Sequence, residues 1–223
     1  VKMGAYTRKT IANYYAAITG VDEQFGRLRE ALREAGVAEN TIVVFTSDHG
    51  NCVGRHGHIT KNVPQEESMR VPLLIGWPGK IRPRRDDLLF ATPDIYPTLL
   101  NLMGLGGKVP AEVEGTNYAP LLLGRAQGRP TSQVYLRVPD PARDLQVGWR
   151  GVRTHRYTLC VERDKNGAVK VLLLDRKDDP HQLKNCSEGK PEVVRMLVEQ
   201  ELNPWLRRTK DPFKVAELGI GGT

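Results

Sequence analysis

The chain has 223 residues, a formal net charge of +7, and 39% hydrophobic and 26% charged residues. These values are typical of a globular protein and exclude a collagenous or low-complexity chain. The longest apolar runs are far shorter than the roughly 18 residues that a membrane-spanning helix needs, so we expect no membrane span. The basic residues are spread along the chain without a nucleic-acid-binding motif, so we expect no nucleic-acid partner.

The first half of the chain alternates helical and strand patterns. Apolar residues recur every three or four positions over residues 10–35, which predicts an amphipathic helix that ends at Gly36. Residues 41–47 form a short continuous run rich in β-branched residues, which predicts a strand buried on both faces in a parallel sheet under helices. A second strand over 71–77 and a helix over 94–103 follow. This order predicts the α/β fold class.

Beyond Gly124 the elements become shorter. Strands are predicted over 132–138, 147–154, 157–163 and 168–175, and Asp-Lys-Asn-Gly at 164–167 predicts a hairpin turn between the last two. An apolar stripe over 191–206 predicts a closing helix. We therefore predict two domains: an α/β core over 1–125, and a small α+β subdomain over 126–223 whose antiparallel sheet is covered by the C-terminal helix.

The segment between the two predicted strands of the core has the character of an active-site loop. Ionisable residues and glycines are dense from Ser47 to Lys61, directly after a strand. Ligands of open α/β sheets bind beyond the carboxyl ends of the strands, which is where Asp48 lies. The three cysteines have no C-x-x-C spacing, which argues against a zinc site and leaves one disulfide open.

Several motifs in order resemble a known family. Residues 41–50 read TIVVFTSDHG, a Gly-x-His-Gly-x-x-x-Lys pattern ends at Lys61, and residues 66–75 read EESMRVPLLI. Matching segments extend back to YYAAI at 14–18 and forward to DIYPTLL at 94–100 and RGVRT at 150–154. Together they resemble the carboxyl-terminal portion of a type I sulfatase, in the alkaline phosphatase superfamily. The resemblance implies part of an alkaline-phosphatase-like sheet with flanking helices.

The resemblance also implies a reaction and its cofactors. Such sulfatases hydrolyse sulfate esters with a formylglycine, made from Cys or Ser within C/S-x-P/A-x-R, beside one divalent metal that is usually calcium. No cysteine of this chain lies in that motif, and the family's paired aspartates have no counterpart here. We therefore expect the formylglycine and the remaining calcium ligands upstream of Val1, and no activity from this chain alone.

Site residues carry over at the matching positions. The resemblance implies that Asp48 binds the metal, and its carboxylate oxygen suits calcium. It implies that His49 contributes to the metal or to catalysis and that Lys61 binds sulfate and stabilises charge in the transition state. His56 and His58 are close enough in sequence to join the substrate pocket. Taken alone, Asp48 could be a turn residue and Lys61 a surface lysine, and the pair Glu66 and Glu67 could instead bind Arg70 or Arg55.

Two alternatives stay open at this point. One is a phosphodiesterase or phosphonate hydrolase of the same superfamily, because phosphate and sulfate groups need similar metal and lysine contacts. The other is a non-catalytic pseudoenzyme module. Lys61, in register with the sulfatase loop, favours the sulfatase. The resemblance suits an extracytoplasmic location, whether periplasmic, secreted or lysosomal, while the sulfated substrate and the oligomeric state are left undecided.

Overall fold

The computed structural model describes residues 3–140 and 144–215. The chain divides into two compact units, Val1–Arg85 and Asp86–Thr223. The domain division predicted at residue 125 rests on composition and family resemblance, and it stays a prediction. None of the described helices has the length and hydrophobicity to cross a membrane.

The first unit consists of one long helix, two short strands and the loop between them. Its elements are α1 (Met3–Glu34), a 3₁₀ turn (Ala38–Asn40), β1 (Val43–Thr46), a second 3₁₀ turn (Arg55–Gly57), α2 (Glu66–Met69) and β2 (Leu73–Gly76). β1 and β2 pair antiparallel, with Val43 opposite Gly76 and Thr46 opposite Leu73. The predicted parallel arrangement is therefore wrong for this pair. The connection, residues 47–72, folds back on itself through the hydrogen bond from the Gly50 N–H to the Ser68 oxygen, so β2 starts beside the end of β1 and runs antiparallel to it.

Side chains of the first unit are mostly accessible to solvent. Phe25 of α1 packs on Phe45 of β1 with ring centroids 5.1 Å apart. Most of the remaining predicted apolar stripe of α1 is exposed to solvent, with Tyr15 65% and Leu28 55% exposed. β1 is partly exposed as well, so the expected burial on both faces is not observed. Taken as whole residues, only Cys52 and Ser68 are buried among those described in this unit.

The second unit contains the antiparallel sheet and the closing helix. Its elements are α3 (Thr92–Leu102), α4 (Ala119–Leu122), β3 (Ser132–Arg137), β4 (Gly148–Thr154), β5 (Tyr157–Arg163), β6 (Val169–Asp175), α5 (Pro191–Leu197) and α6 (Asn203–Arg208). A π-helical turn, Val198–Leu202, joins α5 to α6. The strands pair in the order β3-β4-β5-β6, each antiparallel to its neighbour. This confirms the predicted antiparallel sheet.

The turn between β5 and β6 shows how local chemistry sets the register of this sheet. The Asp164 carboxylate accepts hydrogen bonds from the backbone N–H groups of Asn166 (2.8 Å) and Ala168 (2.9 Å). Gly167 has a φ of +84°, which a residue without Cβ adopts at little cost. The turn places Arg163 opposite Val169 and so fixes the pairing of both strands.

The core of this unit lies between the sheet and the closing helix. The sheet contributes Val152, Leu159, Val161 and Leu173, and the helix and the segment after it contribute Val194, Leu197, Val198, Leu202, Phe213 and Val215. Each fully buried side chain of this size stabilises the fold by about 1.5 to 3 kcal/mol. The helix therefore covers the sheet as predicted.

Two buried charged groups also hold the second unit together. Arg150 is 2% exposed, and its Nε and Nη2 donate to the Asp211 carboxylate at 2.6 and 3.1 Å. Asp175 is 4% exposed and accepts from Nε (2.9 Å) and Nη2 (2.8 Å) of Arg156 and from Nζ of Lys190. The Arg156 hydrogen bonds, with help from Lys190, hold the pKa of Asp175 well below its usual range, although desolvation acts against them.

The three cysteines are free, so the disulfide that the sequence left open is not formed. Cys52 and Cys160 are buried, and burial raises the pKa of both thiols. Both therefore behave as apolar packing residues.

Candidate active site

The active-site loop begins where β1 ends at Thr46. The Ser47 hydroxyl donates to the backbone oxygen of His49 at 3.0 Å, and the backbone N–H of His49 donates to Oδ1 of Asp48 at 2.9 Å. These local bonds turn the chain sharply out of the strand. They leave the Asp48 side chain 80% exposed, so its other oxygen is accessible to a ligand.

Three of the predicted site residues meet at this turn. Nε2 of His49 lies 3.2 Å from Oδ2 of Asp48 and within hydrogen-bonding distance of Nζ of Lys61. Nδ1 of His49 lies 2.7 Å from the carbonyl oxygen of Gly50. A carbonyl only accepts hydrogen bonds, so this contact assigns the proton to Nδ1. In the neutral ring Nε2 is then an acceptor that faces the Lys61 ammonium group.

The charges at this site keep Asp48 ionised. Desolvation raises the pKa of Asp48, but the hydrogen bond from the His49 backbone N–H and the nearby positive charge of Lys61 are among the contacts that together outweigh it, so the net shift is downward. An ionised carboxylate is a hard oxygen donor of the kind that calcium and magnesium prefer. Asp48 therefore fits a divalent metal as one ligand.

The described residues do not supply a complete metal shell. They hold no group of three or more His, Cys, Asp or Glu side chains placed to bind an ion. Both ring nitrogens of His49 already have partners, one at Gly50 and one at Asp48 and Lys61. A metal bound at Asp48 would need further ligands, and the role of His49 as one of them stays a prediction.

The other two predicted histidines have different surroundings. The His56 side chain is 6% exposed, and its Nε2 lies 2.9 Å from Oε2 of Glu67. The Arg55 guanidinium binds Oε1 of the same carboxylate at 2.9 Å, one of the ion pairs that the sequence left open. His58 is exposed. The structure thus engages His56 in a contact with the Glu67 carboxylate and leaves the His58 ring accessible, while the substrate contacts of both stay predictions.

Sequence reasoning missed the framework that holds this loop. The buried residue Ser68 accepts a hydrogen bond from the Gly50 N–H at its backbone oxygen (2.8 Å) and from the Asn62 N–H at its hydroxyl (3.1 Å). Between those ends the loop is a hairpin: the Cys52 N–H donates to the Thr60 oxygen (2.7 Å) and the Gly54 N–H to the His58 oxygen (2.8 Å). No residue pattern predicts that Ser68 holds the loop, because a single serine before a strand can have many structural roles.

The hairpin contains non-glycine residues in left-handed backbone conformations. The φ angles are +46° at Val53, +54° at His56 and +71° at Asn62. Such conformations cost about 1 to 3 kcal/mol each and persist only where the surroundings fix them. In this loop Glu67 holds His56 and Ser68 holds Asn62, and the hydrogen bonds within the hairpin add to these contacts.

Comparison with known proteins identifies the family. A sulfatase family model matches residues 3–105. An endo-4-O-sulfatase of Bacteroides thetaiotaomicron is 39% identical to this chain, over 94% of this chain and 44% of its own length. An ulvan-active sulfatase of Formosa agariphila is 33% identical over 96% of this chain and 42% of its own length.

Solved structures agree. A Bacteroides fragilis protein assigned to the sulfatases superposes with a TM-score of 0.88 at 41% identity, over 96% of this chain and 45% of that one. A phosphonate monoester hydrolase of Agrobacterium radiobacter superposes with a TM-score of 0.73 at 27% identity, over 87% of this chain and 40% of that one. The chain belongs to the sulfatase family of the alkaline phosphatase superfamily, and it spans less than half the length of these relatives.

Proposed function

We propose that this chain is the carboxyl-terminal portion of a formylglycine-dependent sulfatase, a hydrolase of sulfuric esters. Nearly all of the chain aligns with sulfatases, yet more than half of each relative has no counterpart in it. The sequence contains no C/S-x-P/A-x-R motif that could supply the nucleophile. The exposed apolar stripe of α1 is also consistent with a unit that packs against further protein.

The observation that carries this proposal is the meeting of Asp48, His49 and Lys61 beyond the end of β1. Cleavage of a sulfate ester shifts negative charge onto the oxygens of the sulfate group and the leaving group. A positive charge held in place beside those oxygens stabilises the transition state more than the ground state. Lys61 is the group that we assign to this role.

Asp48 is the group that we assign to the metal. Its ionised carboxylate would hold a calcium ion together with ligands from outside this chain. The ion would supply additional positive charge for the sulfate oxygens and the nucleophile. His49 would orient Lys61 through Nε2 or contact the sulfate group, and the exposed ring of His58 is the better placed of the two loop histidines to contact substrate.

A sulfated carbohydrate is the substrate class that we favour. Two of the similar relatives are named for such material, one as an ulvan-active sulfatase and one as an N-acetylglucosamine-6-O-sulfatase. The net charge of +7 suits a polyanion, although salt screens scattered charges beyond about 10 Å.

A phosphonate hydrolase is the second candidate, because one such enzyme shares this fold at 27% identity. Tetrahedral phosphonate and sulfate groups call for the same kinds of contact, a metal and a fixed cation. Only the relative rates of cleavage of matched sulfate and phosphonate substrates therefore distinguish the two functions.

The test compares this chain alone with the same chain extended by its upstream reading frame and carrying formylglycine. The substrates are an aryl sulfate and the matching aryl phosphonate, with and without calcium. We expect the chain alone to match the rate in buffer, and we expect the extended protein to cleave the sulfate faster than the phosphonate. Turnover by the chain alone would contradict the fragment proposal, and faster phosphonate cleavage would establish the alternative. An upstream frame without the motif and without activity would indicate a pseudoenzyme.

A further inference from the structure

Residues 50–62 of the active-site loop are held to α2 at both ends of this segment. One residue makes both contacts: the backbone oxygen of Ser68 accepts from Gly50, and its hydroxyl accepts from Asn62. Gly50 follows His49 directly, and Asn62 follows Lys61 directly. Ser68 therefore fixes the distance between the backbones of His49 and Lys61, the two residues whose side chains meet.

A second residue of α2 holds the far end of the loop. The two carboxylate oxygens of Glu67 bind different partners, Oε1 the Arg55 guanidinium and Oε2 the His56 ring, each at 2.9 Å. Both partners belong to the 3₁₀ turn at the tip of the hairpin. Because the Glu67 side chain is only 20% exposed, water weakens these contacts less than it would on the surface.

The backbone packing around these contacts is close. A Cβ added at Gly50 would collide with the backbone oxygen of Glu67, so only glycine allows the loop to approach α2 this closely. The hairpin also contains the left-handed residues Val53, His56 and Asn62. A loop with such a backbone keeps one conformation only while outside contacts fix it.

We infer that Glu67 and Ser68 are positioning residues, which hold the active-site loop so that the Lys61 ammonium group stays against His49. Among the residues that the structure describes, the polar contacts of these two side chains go to Asn62, Arg55 and His56 and not to Asp48, His49 or Lys61, so each acts through the loop. This inference rests on the proposed function for its catalytic consequence. The placement of Lys61 itself can be tested without any catalysis.

The structural arm of the test uses the full chain and the ¹⁵Nζ–¹H spectrum of its lysine ammonium groups. An ammonium held in a hydrogen bond exchanges its protons more slowly than a free one and gives a distinct signal, which the Lys61→Arg variant assigns. We expect Ser68→Ala and Glu67→Ala to abolish that signal, Glu67→Gln to weaken it, and Glu66→Gln, on the same helix, to leave it intact. Amide signals of α1 and β1 report whether the first unit, which contains the loop, is folded in each variant.

The kinetic arm uses the extended, active protein. Ser68→Ala should lower kcat by roughly 10- to 100-fold, as expected for a displaced catalytic group, and this loss should vanish when Lys61 is already Ala. A residue with only a general structural role would add its loss to that of Lys61→Ala.

The two arms separate the two hypotheses. A Lys61 signal that is absent from the wild type, or that survives in both Ser68→Ala and Glu67→Ala, would overturn the positioning role whatever the activity. If Glu67→Ala fails to fold, Ser68→Ala decides alone, because it removes one hydroxyl and keeps the backbone bond to Gly50. Loss of the signal in an extended protein without sulfatase activity would support positioning and contradict the proposed function.

Discussion

Lys61 and His49 are twelve positions apart in the chain, yet Nζ of one lies within hydrogen-bonding distance of Nε2 of the other. The hairpin between them returns the chain to the end of β1, so a cation and the exposed carboxylate of Asp48 border the same imidazole ring. This juxtaposition is the basis of the site that we assign to sulfate ester hydrolysis.

Asp48 is expected to determine metal affinity in the extended protein. Replacing a metal-binding carboxylate by an amide removes the charge that calcium prefers, so Asp48→Asn should weaken calcium binding by about tenfold or more. Titration calorimetry measures the affinity directly. The matched control is Asp22→Asn, an exposed carboxylate on α1. Equal calcium affinity in Asp48→Asn and wild type would show that the ligand assignment is wrong.

Asp175 is expected to make the fold sensitive to acid. Its pKa is lower in the folded protein than in the unfolded chain, where it is about 3.9, so the carboxylate stabilises the fold above that value. This stabilisation is lost as the pH falls from about 4 toward the lower pKa of the folded state. Asp175→Asn should therefore cost about 2 to 4 kcal/mol at pH 7 and progressively less below pH 4.

Urea unfolding at pH 7, 5 and 3 measures this dependence for wild type, Asp175→Asn and the control Asp22→Asn. The control should give the same small difference at each pH. A cost of Asp175→Asn that is independent of pH would mean that the ion pairs with Arg156 and Lys190 do not set the acid sensitivity.

The ion pair of Arg150 and Asp211 is expected to matter more than one on the surface. Asp211→Ala leaves a guanidinium that is 2% exposed without its carboxylate, which should destabilise the fold by about 3 to 5 kcal/mol. Asp87→Ala breaks the exposed pair with Arg129, 2.9 Å long, and should cost less than about 1 kcal/mol. Thermal or urea unfolding compares them, and similar costs for both would contradict the assigned role of burial.

The second unit could be predicted closely from the sequence because its signals are local. The turn at Asp164 and Gly167 fixes the β5–β6 register by bonds within a few residues. β1 and β2 lack such a turn between them. Their apolar runs fit either strand direction, so the direction depends on how the loop and α2 pack, which no short pattern encodes.

Part of the candidate site could also be predicted from the sequence, and part of it could not. The family motif named Asp48, His49 and Lys61, and the structure brings them together. The motif did not distinguish His56 from His58, because the side chain that covers His56 belongs to Glu67, eleven residues further along the chain. Ser68 was missed for the same reason, since its two hydrogen bonds appear only when the loop has folded back.

Lys61 is the residue on which the proposed reaction depends most. If its ammonium stabilises charge on the sulfate oxygens, Lys61→Ala should lose roughly 3 to 4 kcal/mol of transition-state stabilisation, about a hundredfold or more in kcat/KM. Lys61→Arg should recover only part of the activity, because a planar guanidinium keeps the charge but not the shape. Stability should change by less than about 0.5 kcal/mol, as for other exposed residues.

The most direct measurement is kcat/KM for an aryl sulfate in the extended protein, for wild type, Lys61→Ala and Lys61→Arg, with Lys80→Ala as the exposed-lysine control and thermal melting for each. We predict a large loss for Lys61→Ala, a smaller one for Lys61→Arg, no change for Lys80→Ala and unchanged melting. Kinetics of Lys61→Ala close to those of wild type would remove Lys61 from the active site and contradict the assignment of this loop to sulfate ester hydrolysis.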